Sequence, residues 1–200
     1  MPHAVIHIPP DDLPLGVLSL EADDARTGPQ RVPLLVTVSD QWVAANFDEV
    51  LQFLAYIATQ EELDSLRAAD AAGRREQWEH FWQRRDRYPA TPVNEFREEF
   101  FARIRTATLQ FAEPGGRPGW QSARGEVYIV LGPPDQVLER YSMHNDRIAQ
   151  PEALEWVYTS AGPTRLSLLF VDRTGFGHFE LEPASLAAFR RAAERMKLQH

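Results

Sequence analysis

The sequence predicts an α+β fold, and three observations carry that assignment. Two Val- and Leu-rich stretches near the start flank a polar segment containing Gly28-Pro29. A long middle region repeats apolar residues at helical spacing, and the last third alternates apolar and polar residues between tight-turn signals. Helices that follow one another, and strands that follow one another, point away from a doubly wound sheet. The expected order is a β-hairpin, a helical region, a small antiparallel sheet and a C-terminal helix.

The hairpin is read from Gly16–Glu21 and Val32–Val38, with Ala22–Arg31 as a long polar loop. Two strands alone are marginal in water. Such a pair must pack on the rest of the chain or complete a sheet supplied by something else, so residues 1–45 are read as an appendage and residues 46–200 as the α+β domain. Val50, Phe53, Leu54 and Ile57 place one amphipathic helix from Asn46. Thr59 with Glu62 has capping-box spacing and opens a second helix, which Gly73 is expected to interrupt. Trp78, Phe81 and Trp82 mark a third. Thr91-Pro92 reads as an N-cap and first helical residue of a fourth, with Phe96, Phe100, Ile104, Ala107 and Phe111 as its buried stripe.

After Glu113 a Gly- and Pro-rich loop leads to Val127–Leu131, read as a strand apolar on both faces and stopped by Gly132-Pro133-Pro134-Asp135. Arg140–Pro151 reads as a loop. Strands are expected at Glu155–Tyr158, Leu166–Val171 and Phe176–Leu181, the last two joined by Asp172-Arg173-Thr174-Gly175. Ser185 is expected to cap a final helix carrying Leu186, Phe189, Ala193 and Met196 inward.

Composition narrows the chemistry. The chain has 200 residues, a net charge of −8 and no cysteine, which removes disulfides and thiolate chemistry. Residues 1–70 hold twelve acidic and three basic side chains. That balance repels phosphate backbones, so nucleic acid is not an expected partner. The arginines between Arg74 and Arg105 are interleaved with Glu and Asp and read as a salt-bridged helical face. No apolar run is long enough to span a bilayer, and Met1–Pro10 lacks the basic start and apolar core of a signal peptide. The compartment is open: periplasmic or envelope-associated if a leader is removed, otherwise cytoplasmic.

One string is distinctive: Gly119-Trp120-Gln121-Ser122-Ala123-Arg124-Gly125, an apolar run, then Gly132-Pro133-Pro134-Asp135. It resembles the motif of the bacterial GWxTD domain family. Phe81-Trp82, Arg85-Asp86, Asn94-Glu95, Trp156-x-Tyr158 and Phe170-Val171-Asp172 fit the same pattern, so the likeness covers roughly residues 46–182. Ser122 and Ala123 replace the threonine and aspartate that name the family, and Tyr88 stands where a proline usually follows the Arg-Asp pair. The resemblance implies a larger envelope-associated or secreted bacterial protein, often with a β-sandwich domain before this one, of which the hairpin appendage at residues 1–45 would be the remnant. It supplies no catalytic residues.

Within that string a ligand loop would use Trp120 as a stacking platform, Arg124 as an anion clamp and Asp135 as an acid or base. A structural role would instead bury Trp120 between helix and sheet and tie Arg124 to loop carbonyls, Asp86 or Glu95. Six histidines are scattered (His3, His7, His80, His144, His178 and His200); Glu76 and His80 stand at i, i+4 on a helix with no second ligand pair to accompany them, and His3 and His7 lie in a proline-flanked extended segment, so no metal and no cofactor is expected. Ser122 lies in no nucleophile elbow, and Glu95, Glu98, Glu99 and Asp135 single out no carboxylate pair. Gly175-Phe176-Gly177 is too short for a nucleotide loop. The expectation is a non-catalytic protein-interaction or scaffold module, docking through the hairpin at 16–38 onto a partner, which includes the possibility of a membrane-protein complex. It would make no direct membrane insertion. The alternative is a small-ligand-binding or hydrolytic enzyme built on the Trp120, Arg124 and Asp135 region.

Overall fold

The computed structural model describes residues 7–10, 13–24, 28–141, 152–159 and 165–197. His3, His144, His200 and residues 142–151 of the expected loop lie outside them. Residues 1–52 form one compact unit and residues 53–200 another.

In the first unit β1 (Gly16–Asp24) pairs antiparallel with β2 (Gly28–Val36), from Gly16 opposite Val36 to Asp24 opposite Gly28. The expected long loop is therefore much shorter. Ala22 and the polar Gln30 and Arg31 join the strands, exposed, so that Gln30 and Arg31 lose no hydration there. Gly28, at φ 75°, makes the turn that an L side chain resists. Val17, Val32, Leu34 and Leu35 are exposed, and Arg31 bridges Glu21 at 3.1 Å. A short helix absent from the sequence reading follows, α1 (Asp40–Ala45), with the Ser39 hydroxyl accepting from the Trp42 N–H. Trp42 is buried, and its indole Nε1–H donates to the Leu13 carbonyl at 2.8 Å. Helix α2 (Phe47–Leu54) runs across the boundary between the units. It buries Val50, Phe53 and Leu54, and ends before Ile57.

The second unit begins with α3 (Gln60–Ala68), whose Thr59–Glu62 capping box forms as expected. The break that follows falls at Ala69-Asp70, not at Gly73. Asp70 caps α4 (Ala71–Gln83) by accepting from the Gly73 N–H, so the glycine sits inside the first turn. Helix α5 (Glu95–Gln110) is capped by Asn94 and not by Thr91. Asn94 serves both helices: Oδ1 accepts from the Arg97 N–H while Nδ2 donates to the Trp82 carbonyl. The Thr91 hydroxyl instead meets Glu95 at 2.8 Å. Trp78, Phe81 and Trp82 meet edge-to-face within α4, and Trp82 packs against Phe100 of α5 at 5.7 Å with the rings tilted.

The main departure from the sequence reading is at Val127–Leu131, which is helical. A 3₁₀ turn at Gly119–Gln121 leads into α6 (Ala123–Leu131). Val127, Ile129 and Val130 are all buried, so the run is apolar all round and period alone does not tell a core helix from a core strand. The ends decide it: Ser122 caps the N-terminus and Gly132, at φ 83°, closes the C-terminus.

The sheet is antiparallel in the order β3 (Gln136–Arg140), β4 (Ala153–Tyr158), β5 (Leu166–Asp172), β6 (Phe179–Leu181). Strand β3 is exposed throughout and carries no burial signal in sequence. Strand β6 starts at Phe179, because Phe176 stands exposed in the turn. The last helix, α7 (Pro183–Lys197), is capped by Glu182, whose Oε2 accepts from the Ala184 and Ser185 N–H groups. Ser185 lies within the helix, and its hydroxyl accepts from the Leu169 N–H. Val127 and Val130 of α6, Leu154, Trp156, Leu168 and Phe170 of the sheet, and Phe189 of α7 share one core.

Candidate functional site

The Gly119–Asp135 block is built on two backbone close approaches. A Cβ on Gly119 would sit 2.0 Å from the Ala107 carbonyl oxygen and 2.6 Å from the Ala112 nitrogen. One on Gly125 would sit 1.9 Å from the Gly119 carbonyl oxygen. Between them Ser122 is fully buried, donating to the Gly119 carbonyl at 2.7 Å and accepting from the Gly125 N–H at 3.0 Å. The hydroxyl thus joins the 3₁₀ turn to α6. Serine does here what a threonine hydroxyl would do. Ser122→Ala is expected to lower unfolding free energy by about 1 kcal/mol, the usual worth of an N-cap, measured by urea denaturation.

Trp120 is buried, with its ring edge-to-face against Phe53 at 4.7 Å. Its carbonyl accepts from the Tyr56 hydroxyl at 2.8 Å. Burial, with the Glu126 charge adding to it, pushes the Tyr56 phenol well above its ordinary range. Asp135 is occupied elsewhere: Oδ2 accepts from both the N–H and the hydroxyl of Thr159 at 2.6 Å. Arg124 bonds neither Asp86 nor Glu95. Asp86 accepts from the Tyr88 N–H, and the Arg124 guanidinium lies over the Phe179 ring at 4.5 Å and the Phe111 ring at 5.6 Å. Each of the three residues singled out in the sequence therefore has its own neighbours.

Around Arg124 the fold assembles a polar cluster that no spacing pattern announces. The Glu113 side chain is fully buried, and neither carboxylate oxygen has a hydrogen-bond partner among the described residues. His178 Nδ1 approaches Oε2 to 2.6 Å without the alignment of a hydrogen bond, and Arg117 Nη1 stands 4.0 Å away. Arg124 Nε is likewise buried and unbonded. Burial pulls the Arg124 guanidinium below its ordinary value, and the negative charges of Glu113 and Asp172 oppose that pull. Asp172 is committed to its turn: it accepts from the Thr174 hydroxyl and from the N–H groups of Thr174, Gly175 and Gly177. Burial raises its carboxyl, but those bonds outweigh burial and hold it below the usual aspartate range. The cluster thus sets a buried carboxylate beside an imidazole and within electrostatic reach of a guanidinium.

Room for a ligand lies elsewhere. A polar cleft of about 430 Å³ separates α3 from α4, lined by Glu62, Gln77, His80, Arg84 and Arg85. An apolar slot between α5 and α6, lined by Phe96, Phe100, Ile129 and Met196, has about 20 Å³, enough for a single water. Glu76 and His80 are exposed on α4, and no group of three potential metal ligands occurs among the described residues. No described helix is long and apolar enough to cross a membrane.

The first unit offers a different kind of site. Most of β2 is exposed, and Val17, opposite Leu35 in the register, is more than half exposed like its partner. Leu18, Leu20, Val32 and Leu34 share the other face. This is a two-stranded ribbon with solvent-facing aliphatic side chains on both faces.

The family model for the GWxTD domain matches residues 16–182, most of the chain and the whole hairpin. No curated protein and no solved structure matches the chain.

Proposed function

From the premise that the chain belongs to the GWxTD domain family, we propose that it is a non-catalytic protein-interaction module, docking through the hairpin onto a partner in a bacterial envelope-associated or membrane-protein assembly. The observation that carries this reading is the ribbon. Its aliphatic side chains face solvent on a two-stranded sheet, a form with marginal stability of its own. The family match takes in the hairpin, which supports reading the ribbon as a feature of the family.

The test is a double substitution on the face that both strands share, Val17→Lys with Leu35→Glu, which sets opposite charges across the pair. Both side chains are exposed, so the melting temperature is expected to stay within a few degrees of the parent. Proteins that co-purify reproducibly with the parent from extracts of the host are expected to be lost. Retention of the same proteins by the double variant overturns the reading.

A second reading, a small-ligand or hydrolytic site near Arg124, is favoured by the buried Glu113 carboxylate, which stands beside His178 and has no hydrogen-bond partner among the described residues. Buried polar groups without partners are costly, and functional sites are one reason they persist. Hydrolysis of generic ester or phosphate substrates that disappears in Glu113→Gln, with the fold intact, would move the assignment to this reading.

A further inference from the structure

We propose that the outer edge of β1 is a strand-addition site for an extended, positively charged segment of a partner protein. The proposal rests on the interaction reading above and specifies which edge is used, by what bonds, and for what kind of segment.

The argument begins with two prolines. In an antiparallel ladder, directly opposed pairs alternate between those that exchange backbone hydrogen bonds and those that do not. Residues of the second kind point N–H and C=O away from the partner strand. Pro33 lies opposite Ser19 and Pro29 opposite Asp23, so both prolines have the same parity. The ladder nonetheless runs unbroken from Gly16–Val36 to Asp24–Gly28. A proline has no N–H to give, so an unbroken ladder requires both to sit at non-bonded, outward-pointing positions. The outward positions of β2 are thus Pro29, Arg31, Pro33 and Leu35, and two of those four lack a donor. That edge cannot carry a second ladder.

The same parity fixes the other edge. Val17, Ser19, Glu21 and Asp23 of β1 point their backbone groups outward, and every one has an N–H. No backbone partner for this edge occurs among the described residues. The hairpin is therefore one-sided: blocked on β2 and open on β1. Natural proteins use proline in this way to close an edge, and leaving the opposite edge open is the form that accepts an added strand.

Chemistry selects the occupant. A strand laid along β1 sets alternate side chains beside Leu18 and Leu20 on one face and beside Val17 on the other, which asks for alternating aliphatic residues. Residues 1–52 carry eight acidic and two basic side chains. Lysine or arginine between the aliphatic residues is favoured across the pair, and like charges are disfavoured. A second copy of the chain would bring the same excess of negative charge, so charge argues for a basic partner over self-pairing.

The experiment uses the full chain and two synthetic ten-residue peptides, one alternating valine with lysine and one alternating valine with glutamate. Binding is followed by NMR, with amide exchange read residue by residue and light scattering in parallel. The lysine peptide is expected to protect the Val17, Ser19 and Glu21 amides, and to bind at least tenfold more tightly than the glutamate peptide. Ser19→Pro removes one outward N–H and no ladder bond. It should weaken the lysine peptide at least tenfold while the ladder amides of Leu18 and Leu20 stay protected. Pro33→Ser should leave affinity for the β1 edge unchanged. Undiminished binding in Ser19→Pro, protection along β2, absence of any peptide binding, or a dimer formed through β1 would each overturn the proposal. The host partners separate it from the broader reading. If they survive Ser19→Pro but are lost in the Val17 and Leu35 double variant, strand addition fails and docking through the ribbon stands. If they survive both, both readings fail.

Discussion

Gly125→Ala is expected to destabilise the chain by about 3 kcal/mol or more, at or beyond the usual upper limit for overpacking. The added Cβ would lie 1.9 Å from the Gly119 carbonyl oxygen and 2.9 Å from the Trp120 Cα. Both are backbone atoms, so no rotamer change relieves the clash. Gly119 has no space to retreat, because its own Cα faces the Ala107 carbonyl and the Ala112 nitrogen. The strain must therefore pass into the α5 C-terminus, or α6 must move away and open the core around Val127 and Val130. Urea denaturation measures the loss, and near-UV circular dichroism of the buried Trp120 reports whether the joint still packs. Gly115→Ala is the matched control. Gly115 also has a positive φ, 90°, but nothing lies within 4 Å of its Cβ position. It should cost only the roughly 1–2 kcal/mol of left-handed strain.

Arg85→Ala is expected to cost about 3–5 kcal/mol, the penalty for removing one partner of a buried ion pair. Arg85 is the largest fully buried side chain in the molecule's described part. Nη2 pairs with Glu62 Oε2 at 2.8 Å and Nη1 with Oε1 at 3.1 Å, and the same group donates to the Phe81 and Ile57 carbonyls. Glu62 also takes Arg84 at 2.7 Å and closes the capping box on the Thr59 N–H. One carboxylate thus holds the start of α3 to the end of α4. Arg85→Ala leaves it with Arg84 alone and opens a void against Phe81, over which the guanidinium is stacked at 3.8 Å. Guanidinium chloride would screen the pair, so urea melts are the appropriate measurement.

The same carboxylate gives stability an acid dependence. Burial by itself raises the Glu62 carboxyl, but hydrogen bonds from Arg85 and the Thr59 N–H and the charges of Arg85 and Arg84 outweigh it and hold it below the usual glutamate range. A folded-state value below the unfolded one means the stabilisation is complete above the unfolded pKa, about 4.3. It is lost as pH falls from there through the lower, folded value. Arg85→Ala should therefore flatten the fall in stability below about pH 4.3 as well as lower the whole curve, which urea midpoints taken at several pH values would show.

Much of the architecture was legible because it is written locally. The Thr59–Glu62 box, the Phe100–Ile104–Ala107 stripe and the strands at β4 and β5 each depend on spacing within a few residues. What escaped was written in burial or in long-range contact. The Val127–Leu131 run of helix α6 is apolar on every side, so its residues alternate as readily as they recur at helical spacing, and only the Ser122 and Gly132 caps separate the two readings. Strand β3 is a wholly exposed edge and has no apolar alternation to read. Helix α1 has a cap at Ser39 and two buried residues, Trp42 and Val43, too short a run for a period to emerge. Glu113 and His178 lie in separate loops, and only the chain's path after β5 brings them together. Burial of Trp120 was legible because large aromatics contribute most where buried, but its place was not: it packs on Phe53 and Tyr56 and not between helix and sheet. Arg124 was legible as a charged residue tied into the fold but not in its partners, since stacking on Phe179 leaves no mark in the sequence.

The paired glycines also bear on how far this fold can drift in sequence and still be recognised. Gly119 and Gly125 are held by the room their missing side chains leave, a condition that no other residue type meets. The polar pair between them is under weaker restraint: Ser122 keeps the hydroxyl that caps α6, and Ala123, in the first turn, has no side-chain bond to lose. Descendants of a common ancestor can therefore shed the aspartate, and exchange threonine for serine, without disturbing the backbone joint. A glycine-tryptophan pair with a second glycine six positions after the first, opening an apolar helix, is the more durable signature of kinship. Lineages that have lost the named residues should still be traceable by it.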